Sequence, residues 1–168
     1  MKNKSIYLGL MLAVALILSY IETLIPISVA IPGIKLGLAN LAVVLCLYFF
    51  GFKESLILAV IKALLTGLLF GNFYMIIYSL CGAVLSCIIM ALMIKVKVFH
   101  IPVVSAAGGV AHNIGQLIIA YFTIKTYGII YYVPILIISG FLTGIFIGII
   151  VSLVLPYMKK ILKRSENL

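Results

Sequence analysis

His112, Asn113 and Gln116 stand together in an otherwise apolar stretch, and Lys62 stands inside another. Positions 112 and 116 are one helical turn apart and 113 lies beside both, so one helix face would present an imidazole and two amides together. Such side chains are expensive in hydrocarbon unless they meet a partner or a wet cavity, which makes each a candidate binding group. Packing glue between helices, worth around 1 kcal/mol per hydrogen bond, is the plainer use of the same residues. Three on one face favour a binding surface.

Lys62 lies about eight residues into its stretch, roughly 12 Å from the end at 1.5 Å per residue, hence near mid-membrane. A cation there suits the anionic group of a ligand, or else it snorkels or pairs internally with Glu22. Glu22 is one of only three acidic residues in the chain. It reads either as an interfacial carboxylate or as part of the same site. Lys35, Asn40, Asn72 and Tyr74 fall in loops or first turns on that same side. The expected pocket therefore has Lys62, His112, Asn113 and Gln116 as its floor and Glu22, Lys35 and Asn40 as its mouth.

The chain offers little for catalysis. It contains no aspartate, so the aspartate-rich magnesium site that holds prenyl diphosphates cannot form, and it has no Walker-type phosphate loop. Its glutamates with His100 and His112 assemble no hydrolytic or metal-binding constellation. Cys46, Cys81 and Cys87 all lie within apolar runs and read as small buried hydrophobes. Neither a catalytic site, a metal nor a cofactor is expected.

The elements that must position these groups are membrane spans. Of the 168 residues, 66% are apolar and 9% charged, and the mean hydropathy is +1.40, which belongs to an integral membrane protein. Six stretches approach the roughly 20 apolar residues that a spanning helix needs, at about 6–25, 36–51, 54–71, 74–94, 101–123 and 133–157. The second is short, with a partly re-entrant course as an alternative. Breaks fall at Pro26 with Pro32-Gly33, at Gly51, at Gly71-Asn72, from Lys95 to Pro102 and from Lys125 to Pro134. The fold class expected is a single all-α, polytopic domain over residues 1–168, a bundle of six transmembrane helices.

The net charge of +9 does not form a nucleic-acid stripe; the basic residues sit at the ends of apolar spans. Lys2, Lys4, Lys53, Lys95, Lys97, Lys159, Lys160, Lys163 and Arg164 share one face of this topology, and Lys35 and Lys125 share the other. The positive-inside rule then puts both termini in the cytoplasm of a multi-pass plasma-membrane protein. Residues 1–30 also imitate a secretory signal ending in Ser28-Val29-Ala30, but the apolar run is long for one and more spans follow, which favours retention as the first helix.

Gly9 and Ala13 make a small-xxx-small pair on the first span, and Gly108-Gly109, Gly115, Gly140, Gly144 and Gly148 provide further close-approach positions. Packing within the chain is their simplest use.

The stretch Ile31-Pro32-Gly33-Ile34-Lys35-Leu36-Gly37-Leu38-Ala39-Asn40, with Gly109-Val110-Ala111-His112-Asn113-Ile114-Gly115-Gln116 far along, resembles a known family over nearly the whole chain. It is the family of small membrane proteins called Gx transporters, or heptaprenyl diphosphate synthase component I. The resemblance implies an architecture similar to the substrate-binding S components of energy-coupling factor transporters. Those are six-helix proteins that bind a vitamin or similar small molecule from outside, and they pair with a membrane scaffold and two cytoplasmic ATPases. It further implies a scaffold-facing pair of small residues on the first helix, here Gly9 and Ala13, and often an arginine where Lys62 stands. Lysine keeps the charge without the bidentate fork. The synthase name implies instead a non-catalytic accessory subunit beside a separate aspartate-rich enzyme.

Overall fold

The computed structural model describes residues 4–25, 37–124 and 131–166, without the side chains of 124 and 161–166. The helices among them are α1 (Lys4–Leu24), α2 (Asn40–Phe50), α3 (Phe52–Phe70), α4 (Phe73–Val96), α5 (Ile101–Ile124) and α6 (Val133–Glu166). Their boundaries follow local chemistry. Gly51 separates α2 from α3 at φ +93°, in the left-handed region that favours glycine. Asn72 caps α4 by accepting from Met75 N at 3.0 Å. Lys97 closes α4 in the left-handed conformation.

Two bounds differ from the sequence expectation. The helix expected from 36 begins only at Asn40, because Gly37 at φ +69° starts a turn in which Asn40 N and Leu41 N donate to the carbonyls of Gly37 and Leu38. The last helix, expected to end near 157, runs to Glu166 with Pro156 inside it. Pro156 is exposed, so its ring and lost hydrogen bond face outward and bend no packed interface.

α1, α4, α5 and α6 are each long and apolar enough to cross a membrane. The 11 residues of α2 cover only about 16 Å, against a hydrocarbon core of roughly 30 Å. All of Ala42–Leu47 is nevertheless buried, because α2 is packed against α1, α3 and α6. At one end of α2, Gly37 N donates to Glu22 Oε1 of α1 at 2.6 Å. At the other, the Lys4 ammonium lies 5.9 Å from the Phe50 ring centroid and 2.5 Å from Glu54 Oε1. The outward faces are apolar: Ile6, Leu10 and Ile17 on α1, Leu68 on α3 and Leu153 on α6 are all well exposed. The chain is an all-α protein of membrane type.

Neighbouring helices close into a ring in the order α1, α3, α4, α5, α6, α2 and back to α1. Glycine sets the tightest of these contacts. A Cβ on Gly109 would stand 2.2 Å from the Gly140 carbonyl oxygen, and one on Gly144 would stand 2.6 Å from Ala106 Cα, so α5 and α6 touch backbone to backbone. The same holds between α4 and α5, where a Cβ on Gly115 would meet Gly82 Cα at 2.8 Å. These glycines pack the chain against itself. Gly9 differs, since nothing lies within 4 Å of a Cβ placed there.

One end of the ring is solid. Met11, Leu45, Cys46, Leu47, Leu58, Val104, Val151 and Leu155 fill it, joined by Val44, Met90 and Ile147. Beyond these last three the interior is open.

Candidate functional site

Val44, Met90 and Ile147 belong both to the solid core and to the lining of a cavity of about 320 Å³, so they form its floor. All six helices contribute to the walls. This volume is at the lower end of the roughly 300–1,000 Å³ typical of small-molecule sites. It suits a compact ligand.

Every described residue expected at the pocket lines this cavity: Glu22, Asn40, Lys62, His112, Asn113 and Gln116. Lys35 lies outside the described residues. Asn72 and Tyr74 are exposed and do not line it.

Lys62 is 7% exposed, and its ammonium donates to Asn40 Oδ1 at 2.6 Å. α3 brings Lys62 inward because Ser55, Ala59, Lys62, Ala63 and Thr66 repeat at helical spacing and share one inner face. Asn40 is held at the first position of α2 by the Gly37 turn, and that turn is held in place by the Glu22 carboxylate. Lys62 is thus linked to the mouth, from Glu22 through the turn to Asn40, and it stands above the apolar floor of Val44, Met90 and Ile147 instead of forming the floor as expected.

On α5 the expected face exists. Asn113 Nδ2 donates to the Leu136 carbonyl of α6 at 2.6 Å, so this amide both lines the cavity and ties two helices together. His112 and Gln116 pack over Gly82 of α4, where a Cβ would stand 3.0 Å from the imidazole Cε1 and 3.1 Å from Gln116 Cγ. Gly82 makes room for both, a role the sequence did not suggest.

Sequence reasoning also missed the hydroxyls. Ser19, Thr66, Ser79, Ser86, Ser105 and Thr143 all line the cavity. Among the described residues the buried polar side chains are Ser19, Ser55, Lys62, Ser86 and Ser105, and all but Ser55 line it. Ser55 is engaged elsewhere, donating to Val43 O at 2.9 Å. A signal for the others was present: Ser105 lies two turns before His112, and Ser79 two turns before Ser86, spacings that hold them on one face. No group of His, Cys and acidic side chains among the described residues could hold a metal ion.

The arrangement can bind and orient. Lys62 offers an amine donor, Asn40 and Gln116 offer amides, and His112 offers an imidazole, all lining one small cavity. Replacing Asn40 with alanine should cost about 1 kcal/mol of stability, a modest loss because water in the cavity can replace the lost acceptor of Lys62. Thermal unfolding in detergent reads this. A loss several times larger would mean that the contact is dry.

A family model described as heptaprenyl diphosphate synthase component I matches residues 11–154. The chain belongs to this family. The match bears out the resemblance carried by the Ile31–Asn40 and Gly109–Gln116 stretches. Every cavity residue named above falls within the stretch matched to component I, whereas Gly9 and the basic segment from Lys159 lie outside it. No curated protein and no solved structure matches the chain.

Proposed function

We propose that this chain is a non-catalytic membrane subunit that captures a compact, anionic or polar molecule in the cavity at the centre of its helix ring. The observation that carries the reading is the gathering of buried polarity there: Lys62, Ser19, Ser86 and Ser105 converge on one space inside a bundle whose outside is apolar. Groups that are costly at membrane depth are retained where they do something. With both termini in the cytoplasm of the plasma membrane, as the distribution of basic residues implies, this space opens to the outside. An S-component-like uptake subunit has this design, with energy supplied by ATPases and a membrane scaffold that pack against helices such as α1 at Gly9 and Ala13. The open surface around Gly9 supports that use.

The family match supports a second reading. A family described as component I of a heptaprenyl diphosphate synthase implies a further component, and in that reading this chain holds a soluble synthase subunit at the membrane without itself catalysing.

Affinity purification of the tagged chain from native membranes in mild detergent, with mass spectrometry of what accompanies it, tests the two. Two ATPases with a membrane scaffold are expected from the uptake reading. A prenyl synthase without them would replace it with the accessory reading.

A further inference from the structure

Below the Lys62 and His112 level the cavity continues toward its floor, and two serines there have no protein partner. Ser86 on α4 is 8% exposed and Ser105 on α5 is 3% exposed. Among the described residues neither hydroxyl makes a hydrogen bond, yet neither is sealed off, because both border the cavity and no buried side-chain oxygen is left without contact to space or partner. A serine in a helix commonly bonds back to a carbonyl one turn earlier, as Ser139 and Ser152 do in α6 at 3.0 and 2.7 Å. Ser86 and Ser105 leave that option unused and face the open space instead.

Glycine brings α4 and α5 close beside them. A Cβ on Gly108 would stand 3.2 Å from Ser86 Oγ and 2.5 Å from Met90 Sδ, so these two α4 side chains lie directly against the α5 backbone. Ser105 lies one turn from Gly108 on the same face of α5, and His112 lies one turn to the other side. At 1.5 Å per residue, Gly108 is about 6 Å and Ser105 about 10 Å below His112 along the helix. Each hydroxyl keeps an open face on the cavity, where water or a polar group of a ligand can meet it.

We propose that Ser86 and Ser105 form a second, neutral subsite at the deep end of the cavity, which hydrogen-bonds a hydroxyl, carbonyl or amide group of the ligand while Lys62 and Asn40 hold its anionic group above. The inference rests on the cavity reading and narrows its ligand to a compact molecule that is polar at both ends. A polyprenyl diphosphate does not fit this description. Its far end is hydrocarbon, which would leave both hydroxyls unpaired, and its chain exceeds the space above the Val44, Met90 and Ile147 floor.

A matched pair of acids isolates the subsite: hexanoate and 6-hydroxyhexanoate, whose hydroxyl stands roughly 8 Å from the carboxylate when extended, within the one to two turns available. Each is titrated calorimetrically into the full chain in lipid nanodiscs. The hydroxy acid is expected to bind about fivefold more tightly, the equivalent of one neutral hydrogen bond. The S86A/S105A variant should lose that preference and bind the two acids equally. Equal affinities in the unaltered chain, or a preference that survives in S86A/S105A, would overturn the subsite. If both acids bind equally and both depend on Lys62, only the subsite falls; if neither acid binds, the cavity reading falls with it. Should the double variant fail to fold, S86A and S105A measured singly carry the test, since each should reduce the preference.

Discussion

Replacing Lys62 with methionine is expected to weaken binding of hexanoate, or of any comparable small anion, by about tenfold or more. A hydrogen bond to a charged group in a desolvated site is worth about 1.5–3 kcal/mol, and about 1.4 kcal/mol is a factor of ten. Lys62 is buried, its ammonium is fixed by Asn40 at 2.6 Å, and both side chains border the cavity. Methionine matches lysine in length and volume, and a swap that conserves volume in a packed interior is tolerated best. The variant should therefore fold. The thermal midpoint and the calorimetric titration, measured on the same nanodisc preparation, separate the two effects. Unchanged affinity in a folded K62M protein would remove Lys62 from the site.

The second large effect concerns the packing that gives the cavity its walls. Gly109→Ala should lower stability by about 2 kcal/mol or more, because the new Cβ would stand 2.2 Å from the Gly140 carbonyl oxygen and neither backbone can yield without parting α5 from α6. Asn113, one turn along, would lose its bond to Leu136 O as the helices separate, so the site should loosen as well. Gly9→Ala is the matched control. Nothing lies within 4 Å of a Cβ there, so the same substitution should leave stability unchanged or raise it by up to about 1 kcal/mol, the usual preference of a helix for alanine over glycine. Thermal unfolding of both variants in one detergent decides the matter. If Gly109→Ala is as stable as Gly9→Ala, the α5–α6 contact is looser than its geometry here.

Gly9 and Gly109 also show what a motif conveys. In the sequence both belong to small-residue patterns of the same form. In the fold, Gly109 is used inside the chain and Gly9 is not. Under the uptake reading Gly9 and Ala13 meet the scaffold, and the partner purification described above bears on that directly.

The sequence by itself determined the class of the protein, the helix breaks at Gly51 and Gly71-Asn72, and the site candidates from Glu22 to Gln116. Those are local properties. Hydropathy counts residues in a window, turn chemistry acts over a few positions, and a charged or amide group is out of place in an apolar run whatever lies opposite. The family was legible in the same way, from two short stretches. The tertiary structure decided the rest. That Lys62 meets Asn40 across 22 positions, that Gly82 leaves room for His112 and Gln116, and that Ser86 and Ser105 reach the same cavity all depend on the register of helices far apart in the chain. Serine gave only the weak signal of its spacing, because its hydroxyl can bond to its own helix at little cost and its presence in an apolar run does not mark it as a site. Only the position of the facing helix shows whether such a hydroxyl closes on its own backbone or stays open to a ligand.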